Sequence, residues 1–586
     1  MLPPRVPVSR IPGPTRLSQI PSYHGLRYRS RPFTQRSRLQ LVSAPYVRPQ
    51  LPFLSPLASS RPLPPLSIHL RQHFARLIST ERRDYYKQRI SRGLRFSLSL
   101  VGILIMIEAI KLGVYQETLE HRWPTPPEWS WKSRWCLRGA LAQQHPEDIG
   151  RLITSWPKVA GYAKELLGRL EDPQGEGEGI IEQGDGGFLV EGVGKTGFDV
   201  SNKSEPWRRG YFQTLIAAAK AAENLEGWLT DRKQRLSAPA EYVVGPSNPR
   251  PKPMPRSQKK VMREEHCQPA SPSPEVFYMK ILTTRGFDTG QKLDAALAYA
   301  DWLDYKGLQD TASDVYTWAM DIAASGSPVD AGKVVDVKTG ILKNDGKSLP
   351  SENLLRVSTA LAVYHARHGN LPTALSIFTS VLKARRSLPP PPSGTIMPQL
   401  PSPSKPIDPF RFVFESIKMV LVPVEYPSPP PSGNEPPLRT ATSTCDEAGL
   451  MTYIGEIIYA SSSKETGLAW TREAADTAEA IILELGESEG HIPRHRCAEC
   501  LRVGLKNWKT MVSTLVAKAE QDELESIQKA ERSWFGGQKQ IQAKSLERKR
   551  WEAEDMILDD RIRRLWPVID GESELDGFAP NTALFL

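Results

Sequence analysis

The sequence predicts an all-α protein: a solenoid of helix–turn–helix pairs behind one N-terminal transmembrane helix. Two stretches, residues 292–323 and 354–386, repeat glycine, alanine and aromatic residues at the same offsets. A mostly apolar run at 96–115 is long enough to cross a bilayer core of about 30 Å. Most of the 52 prolines gather in an N-terminal leader and in two later segments, so we expect a disordered leader and Pro/Gly-rich insertions.

The formal charge of +10 belongs to the leader. Residues 1–80 hold 12 Arg, no Lys and no acidic residue, whereas residues 96–586 carry more acids than bases. An Arg- and Ser-rich segment without acids or an apolar core is typical of a mitochondrial transit peptide, which a negative-inside potential draws across a membrane. We therefore predict a presequence at 1–78, cleaved after about Ile78. The alternative is a basic arm that binds nucleic acid or a membrane.

The predicted transmembrane helix covers residues 96–115. Glu108 and Lys111 interrupt the C-terminal end of this helix. Because they stand three residues apart on one helix face, their side chains could pair with each other or reach toward the membrane–water interface. The basic stub in front, residues 79–95, predicts that the N-terminus faces the matrix and the C-terminal domain the intermembrane space. The alternative for so short an uncharged run is a buried helix.

The soluble part begins with a juxtamembrane segment and a set of helices. The Trp/Pro-rich segment 116–136 is expected to pack on the domain or to lie at the lipid headgroups. Residues 137–236 are predicted to form N-terminal helices, one of them over 206–236, with a flexible Gly-rich insertion at 173–197. Gly194-Lys-Thr196 within it lacks the earlier glycine of a P-loop, which excludes that nucleotide site.

The remaining chain alternates between predicted helices and proline-rich segments. Residues 237–274 are predicted to be a linker, and 275–518 tetratricopeptide-like repeats. A Pro-rich insertion at 387–437 interrupts the repeats, and Phe410–Val422 within it could form one helix. Residues 519–586 are predicted to be charged helices and a tail, either a solvating cap or a short partner coil.

Gly307 and Gly369 mark the predicted turns of two helical pairs. In each pair an alanine follows the glycine by five residues and an aromatic residue by nine: Ala312 and Ala374, Tyr316 and Phe378. These are the offsets of a tetratricopeptide unit, in which glycine ends the first helix and small residues let two helices approach. Weaker units follow at 454–474 and 500–518. The alternative is an ordinary helical bundle.

Cysteine and histidine residues near position 500 form the one candidate site for metal or thiol chemistry. Cys497 and Cys500 form a single CxxC, and His491 and His495 could complete four zinc ligands. A second CxxC is missing and the spacing continues as a helix, so we favour two buried cysteines over a zinc or thiol-exchange site. The sequence has no nucleophile elbow, zincin motif or dinucleotide loop. We therefore predict that the protein is not an enzyme and that it binds no cofactor and no metal.

Three carboxylates form the candidate binding site. Asp294, Asp301 and Asp304 lie on the first helix of the first pair, on the side away from Ala296 and Leu303. The first helix of a tetratricopeptide unit lines the concave surface, so we predict that these residues face a client. Carboxylates favour basic or unfolded clients over the acidic peptides that Lys, Arg and Asn would bind. The alternative is a solvated acidic face.

Taken together, these features resemble one family: the fungal tetratricopeptide adaptor subunit of the i-AAA protease supercomplex in the mitochondrial inner membrane. The stretches that carry the resemblance are Asp301-Trp-Leu-Asp-Tyr-Lys-Gly-Leu308, Ala360-Leu-Ala-Val-Tyr-His365, Gly369-Asn-Leu-Pro-Thr-Ala-Leu375 and Gly467-Leu-Ala-Trp470. The resemblance covers roughly residues 95–566. The insertions depart from a compact repeat array, so no binding residue is carried over.

The resemblance implies a non-enzymatic, substrate-binding adaptor in protein quality control. Its expected partners are the i-AAA protease with its membrane subunits, and unfolded or membrane protein clients; no nucleic acid and no small-molecule substrate is expected. The expected location is the inner membrane, with a single span. The alternative function is a tetratricopeptide scaffold or assembly factor for another inner-membrane complex.

Overall fold

The computed structural model is mostly helical, in agreement with the predicted all-α class. It describes residues 80–145, 153–182, 189–190, 194–195, 197–233, 236–253, 261–343, 348–392, 424–485, 491–532 and 538–575. The predicted presequence at 1–78 and the predicted helix at Phe410–Val422 lie outside these residues. The chain divides into two units, Met1–Ser99 and Leu100–Leu586. The contacts reported below lie within the second unit.

Helix α1 runs from Thr80 to Arg122 and contains the predicted membrane span. The part from Asp84 to Arg122 is long and apolar enough to cross a bilayer, and none of its most apolar 18-residue window is buried. Lys111 Nζ donates to Glu108 Oε1 at 3.1 Å, so the two charges that interrupt the apolar run pair with each other. Length and composition therefore qualify α1 as a candidate span.

Three helices follow: α2 (Trp131–Gln144), α3 (Trp156–Leu170) and α4 (Glu205–Asn224). The side chains of Ser130 and Ser204 cap α2 and α4, and proline stands in the first turn of α3 and α4, where its missing N–H costs nothing. Trp129 in front of α2 is buried and lies edge-on to Trp207, with ring centroids 6.4 Å apart. Trp129 therefore packs on the domain, whereas Trp131 is exposed.

Short antiparallel strands interrupt the helices. They are β1 (Ile181–Glu182), β2 (Leu189–Val190), β3 (Gly194–Lys195), β4 (Phe198–Asp199), β5 (Trp228–Asp231), β6 (Ser237–Pro239) and β7 (Cys267–Pro269). β1 pairs with β4, β2 with β3, and β5 lies between β6 and β7.

Two predictions around β5 were wrong. The helix predicted over 206–236 ends at Asn224, because the chain turns at Gly227, which has a φ of +74°, and continues as β5. The linker predicted at 237–274 supplies β6 and β7 and has a small core of Ala238, Val243 and Met262. Strands of three residues are too short to show an alternating pattern, so the proline content dominated the prediction.

The two predicted helical pairs are present. The first consists of α6 (Thr289–Tyr305) and α7 (Gln309–Ser325), and the second of α9 (Glu352–Arg367) and α10 (Leu371–Arg386); α5 (Pro274–Thr283) and the one-turn α8 (Ala331–Val334) precede the two pairs. Gly307 and Gly369 both have a φ of +77° at the turns. The alanine and aromatic residues at the repeated offsets are buried in each pair. The glycine spacing therefore located both turns.

Four long helices complete the described chain: α11 (Ala441–Ser461), α12 (Lys464–Leu485), α13 (His491–Arg532) and α14 (Gln538–Leu575). Gly467 lies inside α12, where the helix crosses α11 with the backbones in contact. A Cβ on Gly467 would lie 2.4 Å from the backbone N of Tyr459 and 2.6 Å from the carbonyl O of Gly455. α13 and α14 pack on each other, and ion pairs such as Lys544–Asp522, at 3.3 Å, join them.

The Pro-rich insertion predicted at 387–437 is in part attached to the helices. Residues 424–440 are extended and contact α4, α6 and α9 before they enter α11. Proline content alone cannot distinguish an extended segment that is bound from one that is free, which is why the sequence did not predict this attachment.

Candidate binding face of the first helical pair

The three carboxylates predicted as a binding site lie on α6, and each contacts a basic side chain of α9. Asp294 pairs with Arg356, and Asp301 Oδ1 lies 3.4 Å from Arg367 Nη1. Both pairs are exposed, so each contributes only about 0–1 kcal/mol and leaves its carboxylate accessible to a competing cation. The predicted acidic face is thus a partly neutralised seam between the two helical pairs.

Asp304 is held more firmly than the other two carboxylates. Its side chain is 10% exposed, and Oδ1 lies 2.6 Å from His368 Nε2. The ring of His368 lies 4.5 Å from that of Tyr364, which donates its hydroxyl to the carbonyl O of Gln309 on α7. Asp304 therefore belongs to the packing between the pairs and offers little surface to a client.

Two groups near this seam, the buried Tyr316 and the half-buried His365, have shifted pKa values. Tyr316 donates its hydroxyl to Asp301 Oδ1 at 2.9 Å, and burial together with that carboxylate raises the pKa of Tyr316. Burial, with a smaller contribution from His368, lowers the pKa of His365. The groups are thus kept neutral, which suits packing and binding.

Aromatic side chains lie beside the carboxylates at the C-terminal end of α6. Tyr278, Tyr299 and Trp302 stack in series, with ring centroids 5.5 and 6.1 Å apart. Tyr305, at the end of α6, is 87% exposed. Tyr278 and Tyr299 are buried, so of these rings only Trp302 and Tyr305 present surface next to the carboxylates. An aromatic surface beside carboxylates can contact apolar and cationic groups. This aromatic part of the face was not predicted from the sequence.

No protein-family model, curated protein or solved structure matches this chain. The basic partners Arg356, Arg367 and His368 were not predicted, although one signal existed. Arg356 follows Asp294 by 62 residues, the spacing between the turn glycines Gly307 and Gly369, so equivalent positions of the two pairs carry opposite charges.

One of the two cysteines near position 500 belongs to a disulfide that the sequence did not predict. Cys497 is buried, as expected, but it is bonded to Cys445 on α11, 52 residues earlier, with Cα atoms 5.2 Å apart. Cys497 is therefore not available as a zinc ligand. Burial raises the pKa of Cys500 to about 11, so its thiol is unreactive near neutral pH. Within the described ranges, no group of three or more potential metal ligands lies together.

A buried ionic cluster connects α1 to the folded domain. Glu120, near the end of α1, accepts hydrogen bonds from the backbone N of Thr125 at 2.9 Å and from Arg134 at 2.9 Å, and it also pairs with Arg138. Leu119 beside it is buried as well. The last turn of α1 is thereby fixed to α2, so the domain begins directly where the candidate span ends.

Proposed function

We propose that the protein is a non-enzymatic adaptor of an inner-membrane AAA protease, which recruits unfolded proteins from the intermembrane-space side for degradation. The observation that carries the proposal is that a candidate membrane helix continues directly into a domain built on two matched helical pairs. A tethered array of helical pairs is suited to holding a protein segment close to a membrane. The aromatic and acidic seam on α6 offers a place for such a segment.

We also propose that the helical pairs α6–α7 and α9–α10 are divergent tetratricopeptide units. Their glycines have the same backbone conformation, and the buried alanine and aromatic residues follow at the same offsets. The pair α11–α12 would be a third, more divergent unit, in which glycines lie at the helix crossing rather than in the turn.

The proposed location is the mitochondrial inner membrane, with the N-terminus in the matrix. The basic residues in front of the span support this orientation, since the Lys/Arg-rich flank of a span tends to lie on the inner side of the membrane, which is the matrix side here. The Cys445–Cys497 disulfide supports placement of the C-terminal domain in an oxidising compartment, because reducing compartments rarely permit structural disulfides.

Affinity purification in mild detergent tests the role. The full chain with a C-terminal tag is recovered from mitochondria, and co-purifying proteins are quantified. Recovery of the AAA protease in stoichiometric amounts is the expected result. Recovery of a different inner-membrane complex without the protease would favour the alternative, a scaffold or assembly factor. Protease protection in mitoplasts tests the topology; a C-terminal domain that resists digestion there would contradict the proposed orientation.

A charge reversal tests the face. Asp301→Lys introduces a cation at the seam and should reduce cross-linking to unfolded clients several-fold without loss of the protease from the complex. Asp314→Lys is the matched control, since it makes the same change at an exposed position on the second helix of the same pair. Equal cross-linking by both variants would show that the seam does not contact clients.

A further inference from the structure

An extended proline-rich segment lies along the ends of several helices. Residues 426–438, here called the strap, contain no helix or strand, and they run from α4 past α6 and α9 toward α11. Its prolines are Pro427, Pro429, Pro430, Pro431, Pro436 and Pro437. Every residue of the strap is exposed or half-buried, so no apolar side chain anchors it in the core. Its position must therefore come from polar contacts.

The first end of the strap is held by Arg209 of α4. The guanidinium donates to the carbonyl O of Pro427 at 2.7 Å and to that of Ser428 at 3.2 Å. It also lies 4.4 Å from the ring centroid of Tyr426. Arg209 is itself buried, and its Nη2, which donates to Pro427, also donates to Glu205 Oε2 one turn earlier at 3.0 Å. This is a prepared donor for two consecutive carbonyl groups of an extended chain.

The second end of the strap is held at the start of α9. Asn353, which is 1% exposed, donates its side-chain amide to the carbonyl O of Ser432 at 2.9 Å and its backbone N–H to that of Gly433 at 3.0 Å. The side-chain amide of Asn434 on the strap makes two hydrogen bonds. Its Oδ1 accepts from Asn353 Nδ2 at 3.0 Å, and its Nδ2 donates to Thr289 Oγ1 at 3.3 Å. The first-turn N–H groups of a helix have no partner within the helix, and here the strap supplies one.

Two glycines shape the surface under the strap. A Cβ on Gly290 would lie 3.0 Å from the carbonyl O of Ser432, and a Cβ on Gly326 would lie 2.5 Å from Asn434 Oδ1. Neither glycine has a positive φ, so the backbone does not require glycine at either position. The missing side chains make room for the strap. Arg209, Thr289, Gly290, Gly326 and Asn353 together define what we call the docking edge.

We propose that the docking edge is a binding site for an extended proline-rich polypeptide, which the strap occupies in this chain and which a proline-rich segment of a partner protein can occupy in its place. Most contacts go to backbone carbonyls, which any extended chain presents. Five of the six prolines are exposed, and the prolines reduce the entropy lost on binding by holding the chain extended. Because no strap residue is buried, the internal occupant can be displaced. This inference is independent of the adaptor role.

A labelled peptide with the sequence of residues 424–438 tests the proposal on the full-length protein in detergent micelles. In the wild-type chain the strap competes with the peptide, which lowers its apparent affinity. Gly433→Val weakens the internal strap, since Gly433 has a φ of +73° and a Cβ there would lie 2.4 Å from Asn353 Oδ1. We expect the peptide to bind Gly433→Val at least tenfold more tightly than wild type, by fluorescence anisotropy.

Three controls make the result specific. Addition of Asn353→Ala to Gly433→Val should reduce the gain several-fold, because it removes the side-chain amide that donates to Ser432 and Asn434. Pro430→Ala, at an exposed position of the strap, should behave as wild type. A peptide that carries valine in place of Gly433 should not bind.

Several results would overturn the proposal. Equal binding to wild type and Gly433→Val, or binding to Gly433→Val that Asn353→Ala leaves unchanged, would place the peptide elsewhere. Absence of binding to a Gly433→Val protein with wild-type helicity and thermal midpoint would show that the strap is a permanent structural clasp. If Gly433→Val does not fold, Asn434→Ala replaces it, since it removes only the side-chain contacts to Asn353 and Thr289. The same outcomes then decide.

Discussion

The carboxylate of Glu120 and the guanidinium of Arg138 form an ion pair in which both side chains are only 5% exposed. Glu120 belongs to the last turn of α1, and Arg138 lies in the middle of α2. A buried pair is costly to desolvate, and it is therefore weak evidence of stabilisation by itself. Removal of one partner has a large effect, however, because the other charge is left buried without compensation.

Glu120→Gln should therefore destabilise the domain by about 3–5 kcal/mol. The amide can still accept from Thr125, but it leaves the Arg138 guanidinium without a counter-charge in a buried position. Urea unfolding of the full chain in detergent, followed by tryptophan fluorescence, measures the loss. Glu165→Gln is the matched control, because its pair with Lys132 is about half exposed on both sides and should change stability by less than about 1 kcal/mol. Equal losses for the two variants would contradict the role of Glu120.

Gly467→Ala should destabilise the packing of α11 on α12 by about 1–3 kcal/mol. The added methyl group would meet backbone atoms of Tyr459 and Gly455, which cannot rotate away, so the helices must separate. Gly168→Ala on α3 is the control: a Cβ there meets no atom within 4 Å, and alanine favours a helix over glycine by up to about 1 kcal/mol. The two substitutions should thus shift the thermal midpoint in opposite directions. A stabilised Gly467→Ala protein would refute the close contact.

Some of the fold could be predicted from the sequence, because several features leave local patterns. Gly307 and Gly369 each precede a buried alanine and aromatic residue at fixed offsets, and this pattern fixed the two helical pairs. Other features depend on tertiary contacts. Cys445 stands 52 residues from Cys497 with no spacing rule to join them, and the strap has a composition that is also typical of unbound linkers.

The candidate binding face also combines features that a local sequence pattern predicts with features that depend on tertiary packing. Asp294, Asp301 and Asp304 were predicted to share one side of α6, and all three do contact arginines of α9. That Asp304 is mostly buried against His368 depends on how two helices separated by more than 40 residues pack, which a helical pattern does not determine. Whether the face binds clients stays a prediction.

Mild acid should weaken the seam between the two helical pairs through His365. Burial lowers the pKa of His365 below its usual value of 6.5 in the folded state, so below pH 6.5 the unfolded chain binds the proton more readily. This contribution to stability is fully present above pH 6.5 and is lost as the pH falls toward the folded pKa. His365→Gln should therefore flatten the pH dependence of the unfolding free energy between pH 7 and 5. A variant with the wild-type slope would show that His365 does not couple folding to pH.

The Cys445–Cys497 disulfide should stabilise the attachment of α13 to α11. Closing a loop of 52 residues removes conformational entropy from the unfolded chain worth about 4 kcal/mol in the chain-entropy model. The double variant Cys445→Ser/Cys497→Ser should therefore unfold at a lower denaturant concentration, as should the reduced wild-type chain, whereas Cys500→Ser should not. Alkylation of the denatured chain with a heavy maleimide should modify Cys136, Cys267 and Cys500 before reduction and all five cysteines afterwards. Five modified cysteines before reduction, in protein taken directly from mitochondria, would contradict the disulfide and also remove the support it gives to an oxidising compartment.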